Sequence, residues 1–200
     1  MFNKRIIFLI TLVLIVGLTV TTLGADFREV NWGMSREEVK EIEGLKPLSE
    51  KPEKLIYDKG VTMFGEDFLL SYFFIEDKLV RSVYVLDTGN NNFPSKTIFN
   101  LATNMPYELM QKYGKPDIAN RNWKSGSYSP TSENFKRLVR LGYVKFLYGW
   151  EKEDINVYFR LEELNGMVIE KIRYYSTDPE LVQLRKRKLE KEQENTQSNL

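Results

Sequence analysis

The chain has 200 residues, 42% of them apolar and 28% charged, with a formal net charge of +1. That is enough for one domain of ordinary size, or two small ones, to bury a core without staples. Cysteine and histidine are both absent, which excludes disulfides, thiolate chemistry, the familiar nucleophile-base pairs and the common zinc sites.

At the N-terminus, Lys4 and Arg5 precede the apolar run Ile6 to Val20, and small residues follow at Thr22, Gly24 and Ala25. A positive head, a core of this length and a small-residue end predict a secretory signal peptide over residues 1–25, cut after Gly24 or Ala25. The alternative is an uncleaved anchor over residues 6–23, close to the minimum span of about 17 residues. Either way the remainder is expected to be exported. No Cys follows the run to carry a lipid. Without the two leader cations, 29 basic residues become one fewer than the 28 acidic ones, a net charge of −1. That balance predicts no long-range attraction for nucleic acid or for an anionic membrane.

Past the leader, Ser35 and Glu38 stand at capping-box spacing before a helix expected over Arg36 to Glu43. Met34 and Val39 are placed to staple its start, and Trp32 is expected to pack beneath it. Gly44 and Pro47 stop it. Strand signals follow from Leu55 to Phe64 and from Leu69 to Asp87, the latter folded into a hairpin by a turn at Glu76 to Lys78. Asp87 to Ser95 reads as a loop. A second helical region spans Lys96 to Tyr113, with a division expected near Asn104 to Pro106, and ends at Gly114. Asn120 to Asn134 reads as a polar loop. Three further strands are expected from Tyr143, Ile155 and Met167. A charged helix begins at Asp178 and runs out into a polar tail, making residues 178–200 a separate segment.

The order helix, then strands, occurs twice. Gly44 and Gly114 each end a helix and each is followed by Pro, in EGLKP and YGKP. Leu70, Tyr72 and Phe74 match Ile155, Val157 and Phe159. The exported domain, residues 26–177, therefore divides into possible repeats over 26–92 and 93–177, with the Trp123 loop as the extra length of the second. The expected fold class is α+β, two-layered, with tandem helix plus antiparallel three-strand units forming one sheet with helices on one face.

Gly33-x-Ser35-x-x-Glu38-Val39 with Gly44 and Pro47, YGKP later and this tandem order resembles the β-lactamase-inhibitor-like and SmpA/OmlA-like exported domains. The resemblance covers Phe27 to Ser176 and implies a two-layer α+β fold that binds other proteins at the cell envelope without a cofactor. The chain departs from the SmpA/OmlA pattern in lacking the lipid-bearing Cys, and from the inhibitor in lacking any Cys for a disulfide.

A search for chemistry finds little. No Ser has Lys three residues later, and Gly114-Lys115 is followed by Pro116, so the S-x-x-K and phosphate-loop patterns both fail. A calcium loop from Asp87 fails at Gly89, Asn92 and Ile98. No metal or cofactor is expected. The acids beside Trp150 in WEKED, Glu151 and Asp154, are the remaining catalytic candidates, since a glycan hydrolase needs only two placed carboxylates and a sugar platform.

Aromatic alternation is the stronger clue. In the first hairpin it assigns Leu70, Tyr72, Phe74, Leu79, Val83 and Val85 to the core face, and Ser71, Phe73, Ser82 and Tyr84 to the outer face. In the second half Asn156, Tyr158 and Arg160 point outward, as do Lys171, Arg173 and Tyr175. Phe73, Tyr84, Tyr158, Arg160, Arg173 and Tyr175 thus form a candidate partner-binding face, of the composition that protein interfaces favour. The expected function is that of an exported, non-catalytic protein-binding domain whose partner is another exported or envelope protein. The alternatives are a carboxylate-dependent glycan hydrolase and a membrane-tethered structural protein.

Overall fold

The computed structural model describes residues 28–58, 61–63, 65–86, 93–123, 130–164 and 167–197. The leader, the loop at 87–92 and residues 124–129 of the Trp123 loop lie outside the described residues. Among the described residues, four helices accompany nine strands: α1 (Arg36–Glu43), β1 (Ser49–Lys51), β2 (Lys54–Tyr57), β3 (Thr62–Met63), β4 (Glu66–Ile75), β5 (Lys78–Leu86), α2 (Ser95–Tyr113), β6 (Ile118–Trp123), α3 (Phe135–Arg140), β7 (Val144–Glu151), β8 (Ile155–Leu164), β9 (Met167–Ser176) and α4 (Pro179–Gln197). The architecture is mixed α+β, with more strands than the three-strand units expected.

Every pairing is antiparallel, in the order β1-β2-β4-β5-β9-β8-β7-β6, with β3 beside β4. β5 and β9, the final strands of the two sequence halves, meet in the middle of the sheet, where Arg81 to Val85 pair with Lys171 to Tyr175.

α1 starts where its cap chemistry places it. Ser35 Oγ accepts from the Glu38 amide, and the Glu38 carboxylate accepts from the Ser35 amide at 2.7 Å. The Ser35 amide, and the Ser35 hydroxyl donating to the same carboxylate at 2.7 Å, hold the Glu38 carboxyl below its ordinary pKa. Gly44 ends the helix at φ 61°, a conformation costly for a side chain with a Cβ. Val39 is fully buried, and Met34 packs on the same core. The Gly33 amide donates to the Leu79 carbonyl, and the Leu79 amide to the Met34 carbonyl, so the entry to α1 is tied to the start of β5. Trp32 lies against two clusters, the main core and a smaller one beneath α4.

The β4–β5 hairpin turns on Glu76 and Asp77, both at positive φ, as a two-residue turn whose twist matches the strands requires. Its register carries a correction. Phe74 pairs with Leu79 but Phe73 pairs with Arg81, so Val80 is a bulge residue. One inserted residue reverses the facing of everything beyond it. Ser82, Tyr84 and Leu86 therefore join Tyr72 and Leu70 on the core side, while Val83 and Val85 lie on the opposite side. Tyr84 is only 8% exposed, its ring edge-on to Tyr174 at 6.0 Å.

α2 is a second correction, since it continues unbroken through Pro106. A proline forfeits one helical hydrogen bond and costs about 3 kcal/mol. Ile98, Leu101, Ala102, Met105, Pro106 and Leu109 are all buried by the unbroken helix, and each large apolar side chain so covered contributes about 1.5–3 kcal/mol. Burial wins.

Where a single polar loop is expected, residues 118–123 form the outer strand β6. Beyond that loop, α3 buries Phe135, Leu138 and Val139 against the core. The Trp150 indole donates to the Gly114 carbonyl at 2.8 Å, tying the end of α2 to β7.

α1, α2 and α3 contribute to one main core, whose largest buried side chains include Trp150, Tyr57, Tyr72, Phe68 and Phe159. α4 does not join them. It begins at Asp178, whose carboxylate accepts from the Glu180 and Leu181 amides, and crosses the other face of the sheet. The expectation of helices on one face is thus corrected. Val80, turned out by its bulge, packs with Leu181 and Leu184. Its carbonyl accepts from the Arg185 guanidinium at 3.1 Å, which also donates to the Ser176 carbonyl at 2.9 Å.

Candidate partner-binding face

The strand registers lay the outer-face residues in rows. Across one row stand Lys54, Phe73, Arg81, Tyr175, Asn156 and Glu151. The next row carries Ser71, Val83, Arg173, Tyr158 and Gly149, and the third Leu69, Val85, Lys171, Arg160 and Leu147. Five of the six residues that alternation selects, Phe73, Tyr158, Arg160, Arg173 and Tyr175, share this face and are half-buried. Tyr84 is the exception, because the Val80 bulge turns it inward.

The rings are fixed. Tyr158 lies across Gly149, where an added Cβ would stand 3.0 Å from its ring carbons. Its ring meets Tyr175 edge-on at 5.9 Å, and its hydroxyl donates to Glu151 at 3.3 Å. The Arg81 guanidinium stacks 3.7 Å above Phe73, with the Lys54 ammonium 5.0 Å from the same ring. Arg185 reaches over from α4 to within 5.5 Å of Tyr175.

Charge on this face is unbalanced. Glu162 is shared between Arg160 at 2.7 Å and Lys171 at 3.3 Å. Among the described residues, no carboxylate forms an ion pair with Lys54, Arg81, Arg173 or Arg185. The cations also act on one another. Burial and then the Arg173 charge hold Lys171 below the usual lysine range, against the pull of Glu162. Burial and then Arg81 do the same to Lys54.

Two hollows open on the face. A cleft of about 370 Å³ runs beneath α4, with Phe73, Val80 and Tyr175 on its floor and Lys188 and Leu189 on its wall. A shallower hollow of about 390 Å³ holds Tyr158, Arg160 and Arg173. Tyr175 and Arg185 line both. Alternation in sequence missed Arg81 and Arg185, because one depends on the bulge and the other on where α4 lies. Gly149, beside the aromatic run KFLYGW, was the available signal for a ring lying against backbone.

The carboxylate candidates fare differently. Trp150 is fully buried and so offers no platform for a sugar, a correction to the reading of WEKED. Glu151 and Asp154 are exposed at either side of the β7–β8 turn. Among the described residues no group of three or more acids is placed to hold a metal ion, and no helix is long and apolar enough to cross a membrane.

The fold and face define the chain as an α+β protein built on a nine-stranded antiparallel sheet, with a cationic and aromatic surface beside α4. Comparisons with protein-family models, with curated proteins and with solved structures gave no match.

Proposed function

We propose that the chain is an exported, non-catalytic protein-binding domain of two related halves, which engages another envelope or secreted protein through the outer face of its sheet. One observation carries the reading: three rings and several guanidinium groups are held in place on a sheet face that α4 covers only in part. Aromatic and arginine side chains combine large contact area with hydrogen-bonding capacity, and fixed ones lose little entropy on binding. Export is supported by the residues of the leader, from Lys4 to Ala25.

The test is affinity capture from envelope extract, using the protein and a Tyr158→Ala/Tyr175→Ala variant. Both rings are half-buried at the surface, so the variant is expected to remain folded by circular dichroism and to lose its captured partner. A folded variant that captures the same proteins as the parent would sink the proposal.

A further inference from the structure

The rows of the outer face also specify what would fit them. Phe73, Val80 and Leu189 give the cleft beneath α4 its apolar lining, which the Glu53 and Glu192 carboxylates share. Beyond Tyr175 on its floor stands Arg173, and one row further Arg160 beside Lys171. Alternate residues on a strand are about 6.6–6.8 Å apart, and the alternate side chains of any extended peptide repeat at the same distance. A peptide lying along β9 with an apolar residue in the cleft would therefore bring its second and fourth following side chains over Arg173 and Arg160.

We propose that this face binds an extended acidic segment of a partner protein, with an apolar anchor beneath α4, one carboxylate held by Arg173 and a second by the donors of Arg160 that its Glu162 ion pair leaves over. Charge complementarity selects this occupant. Apart from the leader the chain carries a net charge of −1, so the gathering of Lys54, Arg81, Arg173 and Arg185, none of them in an ion pair among the described residues, is local to this face. A fork of guanidinium donors matches a carboxylate in two bonds at once. Nucleic acid fits less well. Phe73 and Tyr175 already carry guanidinium groups near their rings, where a base would have to stack.

The proposal rests on reading this face as a protein-binding surface, and its test separates the two. The probe is a fluorescent peptide bearing one phenylalanine followed by glutamates at the second and fourth positions, titrated with the full chain by anisotropy. The expected result is salt-sensitive binding that weakens at least tenfold when the glutamates are replaced by lysines, and at least tenfold in the Arg173→Glu variant. Arg173→Lys should restore part of the loss. Equal affinity for the lysine peptide, no binding of the acidic one, or tighter binding of single-stranded DNA would each overturn the proposal, and none depends on a variant folding. Self-association that excludes the peptide would overturn it in favour of a second copy of this chain. If the acidic peptide fails while the double tyrosine variant still loses its captured partner, the ligand chemistry is wrong and the face stands. If that variant captures normally, the face itself is wrong.

Discussion

Glu170 is the residue whose placement costs the fold most visibly. Strand alternation puts it on the core side of β9 with Val168, Ile172 and Tyr174, opposite Leu161, and it is 1% exposed. Neither carboxylate oxygen has a hydrogen-bond partner among the described residues. An unpaired buried polar group costs about 1–3 kcal/mol, and burial alone pushes this carboxyl well above the usual carboxylate range. The sign follows from linkage. A folded-state pKa above the unfolded one means the unfolded chain releases the proton first, so this residue's linkage penalty is absent below about pH 4.3 and grows as pH rises toward the folded value. Glu170→Leu is expected to raise the melting temperature at pH 7 and to flatten its decline between pH 4 and pH 8. Thermal melts across that range check this, and a less stable leucine variant at pH 7 would refute it. The residue was legible in MVIEKIRYY as a polar side chain at a core position. What the pattern could not convey is that no partner waits for it.

At the scale of elements, legibility followed the type of signal. α1 was readable to its ends because Ser35, Glu38 and Gly44 act within a few residues of one another. β8 and β9 were readable because ten residues of alternation leave one register. The Val80 bulge was not, since Leu-Val-Arg-Ser-Val contains no glycine to mark it. What favours the bulge is distant: Leu181, Leu184 and Arg185 of α4 receive the side chain and carbonyl that it turns out. β6 was hidden because the edge sequence IANRNW is half polar and lacks strict alternation, and α3 because six residues are too few for a helical period. Local signals also carry local consequences. Ser35→Ala removes one side of the capping box and should lower stability by about 1 kcal/mol in denaturant titration. Partner capture should be unchanged, because Ser35 lies away from the outer-face rows. Lost capture at retained stability would mean that the segment around Trp32 and Ser35 belongs to the binding surface.

For the molecule as a whole, α4 decides how much of the binding face is open. Its hold on the sheet is small: Leu181 and Leu184 against Val80 with Trp32 and Ile75 beside them, two hydrogen bonds from Arg185, and the Lys78–Glu180 ion pair. From Leu189, itself 57% exposed, the helix is supported mainly by its own backbone. Leu181→Ala combined with Leu184→Ala should therefore release α4 without dismantling the main core. Buried Leu→Ala changes cost about 2–5 kcal/mol each in a full core, and this satellite should lose toward the lower end. Hydrogen exchange should rise sharply across residues 179–197 and stay slow in β4, β5, β8 and β9. Global unfolding by the double variant would show instead that α4 is part of the main cooperative unit. The cleft and its arginine wall were out of reach of sequence reading for the same reason, since they exist only once the last helix is laid across the first half of the sheet.

The meeting of β5 with β9 has a consequence in time. These two strands supply the middle of the sheet, yet β9 is the last strand among the described residues. A polypeptide delivered N-terminus first, from a ribosome or through a membrane channel, presents β5 long before the strand that completes its hydrogen bonds. Pairings between segments so far apart in sequence form slowly, because the intervening loop must be closed before any contact rewards it. The first half thus waits with one side of β5 unpaired, adhesive in the manner of any open sheet edge. Until the C-terminal third arrives, that edge is a template on which a neighbouring chain could pair in place of β9.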